Sequence, residues 1–263
     1  MDHETLSVAA EQGLCVITFT RADKLNAWTY RLHAELRRAI ESANADPEVD
    51  AIVVTATGKG FCAGADMSAV FGLSEAEKLR ARAEADTQDW VALLRRSKPI
   101  VAAVNGAAVG IGVSLILPMD QIVASSEASF ALRFVKMGLV PELAASHFVQ
   151  RRMGFGAASR VLLTGDALTA PEALALSLID QVTAPEALLD EAKALARRMG
   201  RNPHAALRAT KQLLTDNAGE TDLDRVQQRE LDALAVAYAS PEHKEAVAAF
   251  LAKRAPDFKA ARG

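Results

Sequence analysis

Cysteine is scarce. Cys15 and Cys62 are the two in 263 residues, too few for a disulfide framework and at a spacing that matches no zinc motif. A reducing cytoplasm is the expected home. Five histidines, His3, His33, His147, His204 and His243, stand singly without metal-ligand spacing, so no metal is expected. Charge of one sign is not in excess either. With 30 basic against 33 acidic side chains the net charge is −3, and no block of like charge builds a local field for a nucleic-acid backbone. The amino terminus, Met1-Asp2-His3-Glu4-Thr5, has acids where an export signal would carry a basic region, and no apolar stretch follows. Several nucleotide and hydrolase motifs are missing as well. Gly58-Lys59-Gly60 lacks the spacing and the Lys-Ser/Thr of a phosphate loop, no GxGxxG follows a strand, and no serine sits in a GxSxG elbow. Nucleotide hydrolysis, Rossmann hydride transfer and the commonest hydrolase chemistry fall away.

What is present is the composition of a soluble globular protein, 50% apolar and 24% charged, long enough for one large domain or one with an appendage. Residues 100–119 are as long as a bilayer span, but Gly106, Gly110, Gly112 and Pro118 interrupt them and Lys98-Pro99 and Asp120 bracket them. They read as buried strand, turn and short helix. Residues 14–19 are a β-branched strand with residues 5–10 as hairpin partner. Leu32, Leu36, Ala39 and Ile40 recur at helical spacing over residues 29–43, with Thr29 as N-cap and Asp46-Pro47 as terminator. Strands at 51–56 and 99–104 each run into glycines, and a charged helix over 74–96 lies between them. The order strand, glycine loop, helix thus occurs twice, the pattern of an α/β core. Short strands at 121–124 and 128–132 and helices near 143–152 and 157–163 follow. From residue 184 onward the chain reads helical, as an appended layer.

Each glycine loop delivers the chain from a buried strand into a helix, placing unpaired N–H groups where they can hold an anion or a developing oxyanion. Ala63, Gly64 and Ala65 in one loop, and Gly110 and Gly112 in the other, allow close approach to the main chain. Each loop alone is more often a plain turn, and the presence of two favours a ligand role.

The segments GKGFCAGADM (residues 58–67), NGAAVGIGVS (105–114) and RADKLNA (21–27) resemble the three hallmark segments of the crotonase (enoyl-CoA hydratase/isomerase) superfamily. Leu163-Thr164-Gly165-Asp166 with residues 170–178, and the tail from Ser240-Pro241-Glu242 to Asp257-Phe258, are similar to two further segments, so the likeness covers nearly the whole chain. The resemblance implies an α/β spiral of ββα repeats over residues 1–195 that binds acyl-CoA. Residues 196–263 would form a helical oligomerisation region, giving a homotrimer or a hexamer. It implies no cofactor beyond the coenzyme A of the substrate, no metal and no membrane span. The thioester oxygen would lie between the backbone amides of Ala65 and Ile111; the family usually has glycine at the second place, and the bulk of Ile111 would narrow the acyl pocket. Coenzyme A would contact Lys24, Leu25, Ala27, Ala63, Asp66 and Met67, with Phe250 and Lys253 of the tail closing near the nucleotide. Lys24 is also readable as a solvated loop charge, Phe250 as a core residue of its helix, and Asp66 as a helix cap.

Where a hydratase of the family positions water between two glutamates, this chain has Ser114 and Phe134. Phe134 transfers no proton, and Ser114 without a partner is a poor base at neutral pH. One carboxylate appears further on, Glu142 in GLVPELAAS, similar to the place where enoyl-CoA isomerases of the superfamily carry their single acid. Pro-Glu also commonly opens a helix. Apolar Leu139, Val140 and Leu143 are expected to raise the Glu142 pKa by desolvation, against the pull of a helix N-terminus. The leading expectation is an enoyl-CoA isomerase of acyl-CoA catabolism with Glu142 as acid/base. The alternatives are a hydratase using Glu142 with water held by Ser114, and a non-catalytic acyl-CoA-binding oligomer.

Overall fold

The computed structural model describes residues 3–85 and 89–262. Its centre is a six-stranded sheet in the order β1-β2-β3-β5-β7-β10. β1 (Leu6–Glu11) and β2 (Leu14–Phe19) form the expected hairpin, antiparallel, with Leu6 opposite Phe19. Strands β3 (Ala51–Ala56), β5 (Ile100–Val104), β7 (Gln121–Ser125) and β10 (Gln181–Thr183) then add in parallel. Parallel strands covered on both faces read as continuous apolar runs, which is why AIVVTA and IVAAV are so uniformly buried.

A second sheet, ordered β4-β6-β8-β9, is built from shorter pieces: β4 (Gly60–Cys62), β6 (Ala107–Val109), β8 (Ser129–Ala131) and β9 (Ala167–Thr169). Each of its first three strands directly follows a strand of the large sheet: β4 follows β3, β6 follows β5 and β8 follows β7. Helices close each turn: α2 (Glu75–Ala85) and α3 (Trp90–Arg96) after β4, α4 (Ile111–Ser114) after β6, and α5 (Ala145–Thr164) after β8. This is the expected spiral of ββα repeats. The helix expected over 74–96 is two elements, with residues 86–88 outside the described ones. Gly154 is non-helical (φ +75°, ψ +164°), so α5 is two helical segments that meet at this glycine, and the break expected between residues 152 and 157 is present.

α1 (Tyr30–Ala45) begins where expected, with the Thr29 hydroxyl accepting from the Leu32 amide at 3.1 Å. Its buried face of Leu32, Leu36, Ala39, Ile40 and Ala43 enters the main core with Trp90, Phe61 and Phe130. A short helix α6 (Ala170–Ala175) carries the chain from β9 toward β10. The other face of the sheet is covered by α7 (Leu188–Gly200), through Leu188, Ala192 and Ala196 against Val16, Val53, Val101 and Val123. α7 therefore runs through residue 196, joining the core to the tail. Residues 100–119 are interior, as expected, and no described helix is long and apolar enough to cross a membrane.

The tail comprises α8 (His204–Asp216), α9 (Leu223–Ala239), α10 (Pro241–Leu251) and α11 (Phe258–Arg262). Lys211 of α8 pins it to the core by donating to Asp120 at 2.7 Å and to the carbonyl of Leu94. Buried Glu242 accepts from the His204 amide, and α11 returns to the amino end of β3 through Arg262 and Asp50.

Candidate functional site

β4 and β6 lie side by side in parallel, so both glycine loops leave the same edge of the small sheet. Gly110 precedes α4 with φ +53° and ψ −117°, a conformation closed to L side chains, and this directs Ile111 into the first helical position. Gly112 is there for proximity: a Cβ would stand 2.4 Å from the Cys62 carbonyl oxygen and 2.8 Å from the Cys62 Cβ. The two loops thus touch backbone to backbone, and Cys62 fills the space between them.

As the first residue of α4, Ile111 has an N–H with no acceptor inside its helix. In the other loop the Ala63 and Asp66 amides donate to Leu25 and Trp28, while the Ala65 N–H between them joins none of the loop's backbone bonds. Unpaired amides on two neighbouring loops are the kind of donor that can hold an oxygen gaining negative charge. The Ile111 side chain packs in the core at 3% exposure, so its bulk is spent there and does not protrude from the loop.

The loop over residues 21–28 is laced to this edge. The Leu25 carbonyl accepts from Ala63 at 3.1 Å, the Trp28 amide donates to Gly64 at 2.7 Å, and Asp66 donates to Trp28 at 2.9 Å. Arg21 ties the pieces with both arms of its guanidinium: Nη1 donates to the Ala27 carbonyl at 2.7 Å and Nη2 pairs with Asp66 at 2.9 Å. Asp66 also accepts from the Ala69 amide and the Ser68 hydroxyl, capping the helical turn Met67–Phe71. The Arg21 contact first, then these donors, lower its carboxyl to about 2. Buried Asn26 spans the same junction, donating to the carbonyls of Thr57 and Gly60. Lys24, Leu25, Ala27, Ala63, Asp66 and Met67 are thereby brought together around one rim, with Lys24, Leu25 and Met67 exposed. Phe250 and Lys253 stand apart at the end of α10 and just beyond it. Phe250 is 82% exposed, so within one chain it does not pack against the loops.

Ser114 is fully buried in α4, and its hydroxyl looks back to the Gly110 carbonyl at 3.4 Å. Phe134 is buried in the helical turn Arg133–Met137. Glu142 follows in the turn before α5, and the two residues after it, Leu143 and Ala144, both have positive φ, +53° and +58°. Among the described residues its carboxylate takes no hydrogen bond, so it does not cap α5. Glu142 is an exposed residue, with protein around it dense enough to cost its carboxylate part of its solvation. Desolvation raises its pKa, and the Arg82 charge pulls the other way. Leu139 and Val140, expected to supply that desolvation, are themselves exposed.

Arg21, Tyr30 and Arg82 were not singled out from sequence. Arg21 lay within the RADKLNA segment as a signal, whereas the places of Tyr30 and Arg82 depend on a contact between α1 and α2 that no motif marks.

The two sheets wound into ββα repeats are the fold of the crotonase class of acyl-CoA enzymes. The family model for enoyl-CoA hydratase/isomerase matches residues 9–261, and the chain belongs to that family. It is 32% identical over 259 residues to the crotonyl-CoA hydratase of Syntrophomonas wolfei, covering 98% of this chain and 99% of that one. It is 34% identical over 252 residues to the 1,2-epoxyphenylacetyl-CoA isomerase of Escherichia coli, covering 94% and 95%. The crystal structure of an enoyl-CoA hydratase from Bacillus anthracis superposes with a TM-score of 0.90 at 27% identity, covering 97% of this chain and 99% of that one. The family holds hydratases and isomerases alike.

Proposed function

We propose that this acyl-CoA enzyme moves the double bond of a 3-enoyl-CoA into conjugation, giving the 2-enoyl-CoA, with Glu142 as its one acid/base. The observation that carries this reading is the distribution of carboxylates. Ser114 and Phe134 stand where a hydratase needs acids, and among the described residues Glu142 is the one carboxylate clearly pushed above its ordinary pKa. In the forward step the Glu142 carboxylate takes a proton from C2. The electron pair of that C–H bond moves into the C2–C1 bond, and the thioester oxygen becomes the oxyanion end of a dienolate. The Ala65 and Ile111 amides hold that oxygen, each donor contributing about 3–4 kcal/mol. Collapse of the dienolate takes the same proton back from Glu142 at C4 and leaves the double bond between C2 and C3. No water enters and no net proton is exchanged.

Lys24, Leu25, Ala27, Ala63, Asp66 and Met67 form the rim for coenzyme A in this reading. Phe250 and Lys253 close over the nucleotide, which for so exposed a tail is most simply the work of another copy in the oligomer. The hydratase reading is favoured by the names of several relatives, but it requires a second proton carrier, and the Ser114 hydroxyl is turned toward a backbone carbonyl.

The test is an absorbance assay of the purified protein on a 3-enoyl-CoA and a 2-enoyl-CoA, beside Glu142→Gln. The expected result is appearance of the conjugated thioester from the 3-enoyl substrate, lost by at least about 100-fold in the variant. Loss of conjugation from the 2-enoyl substrate as the dominant reaction would mean hydration.

A further inference from the structure

The end of the large sheet remote from the glycine loops carries cavities that the acyl-CoA chemistry does not use. Residues 46–50 lead into β3 and Lys98-Pro99 lead into β5, so both lie at the amino ends of these parallel strands, whereas the glycine loops lie beyond the carboxyl ends. The strands put about 15–20 Å between the two ends. Two cavities of about 370 and 340 Å³ open here between the end of α1 and helix α8 of the tail, and Asn44, Ala45, Lys98 and Arg208 form the wall they share.

Lys98 is 4% exposed, yet it has no acid partner among the described residues. Its Nζ donates to the carbonyls of Ala43, at 2.9 Å, and Asp46. An ammonium has three donors, so one is left over. Asn44 fixes the residue in place, its Oδ1 accepting from the Lys98 amide at 3.0 Å and its Nδ2 donating to the Ser97 hydroxyl at 3.0 Å. Helix α8 is seated on the same turn, for Lys211 donates to the Lys98 carbonyl at 3.3 Å. Arg208 stands three residues before Lys211 on the same helix face, and it makes no hydrogen bond or ion pair among the described residues. The other charges around the cavities are engaged. Glu41 pairs with Arg37 at 3.0 Å, Glu48 with Lys259 at 3.1 Å and Arg96 with Asp89 at 2.7 Å, while an Asp46 carboxylate oxygen accepts from the Glu48 amide. His204 and Arg262 both face Asp50. Lys98 and Arg208 are therefore the two cations left uncompensated on one wall. A buried ammonium without a counter-charge is costly, and two like charges facing one cavity repel.

We propose that this wall is a binding site for a phosphoryl dianion, held between the Lys98 ammonium and the Arg208 guanidinium. Arginine offers a planar fork that matches phosphate oxygens and lysine a compact point charge. A ligand of two negative charges balances both cations at once, and it ties α8 to the turn before β5, fastening the tail to the core. The ligand chemistry is a phosphate with free oxygens, whether inorganic or at the end of a phosphomonoester.

The test is calorimetric titration of the full-length protein with inorganic phosphate and, separately, with glycerol phosphate, at an ionic strength held constant with chloride. Wild type is compared with Arg208→Gln, an exposed position where the change leaves the fold intact, and with Lys24→Gln on the coenzyme rim. Saturable binding is expected in the wild type, weakened at least about 10-fold in Arg208→Gln and unchanged in Lys24→Gln. Tighter binding of glycerol phosphate would identify the ligand as a monoester, and tighter binding of inorganic phosphate would identify the free ion. No saturable binding up to about 10 mM, or binding that Arg208→Gln leaves untouched, would overturn the proposal and leave Lys98 as a cap on the end of α1.

Discussion

Glu142 is held against the ordinary preferences of its chain. Leu143 and Ala144 both occupy the left-handed region, which costs about 1–2 kcal/mol per residue without glycine, and the carboxyl itself is desolvated. Strain of this kind persists where the surrounding structure enforces it, and it fixes the entry into α5. The linkage has a definite sign. Because the folded pKa of Glu142 lies above its ordinary value of 4.5, the fold binds the proton more tightly than the unfolded chain does, and ionisation at neutral pH works against folding. Glu142→Gln should therefore abolish turnover while leaving the melting temperature at pH 7 equal to or above that of the wild type. A clear loss of thermal stability would mean that Glu142 is structural. At this scale the sequence was most informative where a motif fixes the backbone, as in the loops that carry Ala65 and Ile111. It was least informative for Arg21 and Arg82, whose partners Asp66 and Tyr30 are 45 and 52 residues away.

Among the elements, the long strands and α1 were legible because their periodicity is strong and their caps are local. β9 and β10, three residues each, carry no periodicity to read; they exist because β8 and β7 offer them free edges. The start of α5 falls at Ala145, two residues after the expected 143, because the left-handed pair comes first. The junction of β1 with α1 shows an element-scale device that patterning misses. Buried Glu35 accepts from the Thr5 amide at 2.9 Å, the Thr5 hydroxyl at 2.7 Å and Arg31 at 3.0 Å. Burial pushes its carboxyl up, but these donors and the Glu4 amide outweigh it and bring the pKa to about 2. With the folded value depressed, this stabilisation is complete above pH 4.5 and is lost as pH falls toward 2. It is worth about 3 kcal/mol. Urea melts should show Glu35→Gln destabilised by about that amount at pH 7 and by almost nothing near pH 2. An equal deficit at both pH values would contradict the assignment.

For the molecule as a whole, the sheets and the loops at their edge pack within one chain, while the tail leaves a broad apolar face uncovered. α9 has no buried residue, and Leu231, Leu234, Val236 and Tyr238 of α9 are exposed together with Val247, Phe250 and Leu251 of α10. Exposed apolar area on this scale is what the proposed oligomer would cover. Light scattering should give a mass of three or six times 28.0 kDa, and Leu234→Asp should shift it toward the monomer. A wild-type monomer at micromolar concentration would contradict the oligomer. The spiral and its two glycine loops were legible in sequence because five ordered segments carry them, whereas the exposed leucines of the tail cannot be told from core by sequence alone.

The central claim is that one carboxylate and two amides make this chain an isomerase. It is tested most directly by mass spectrometry of the products formed from a 3-enoyl-CoA and from a 2-enoyl-CoA. The account predicts that the 3-enoyl substrate gives a conjugated product of unchanged mass and that the 2-enoyl substrate gains no water. A product heavier by one water, formed at a comparable rate and dependent on Glu142, would contradict it and make the protein a hydratase.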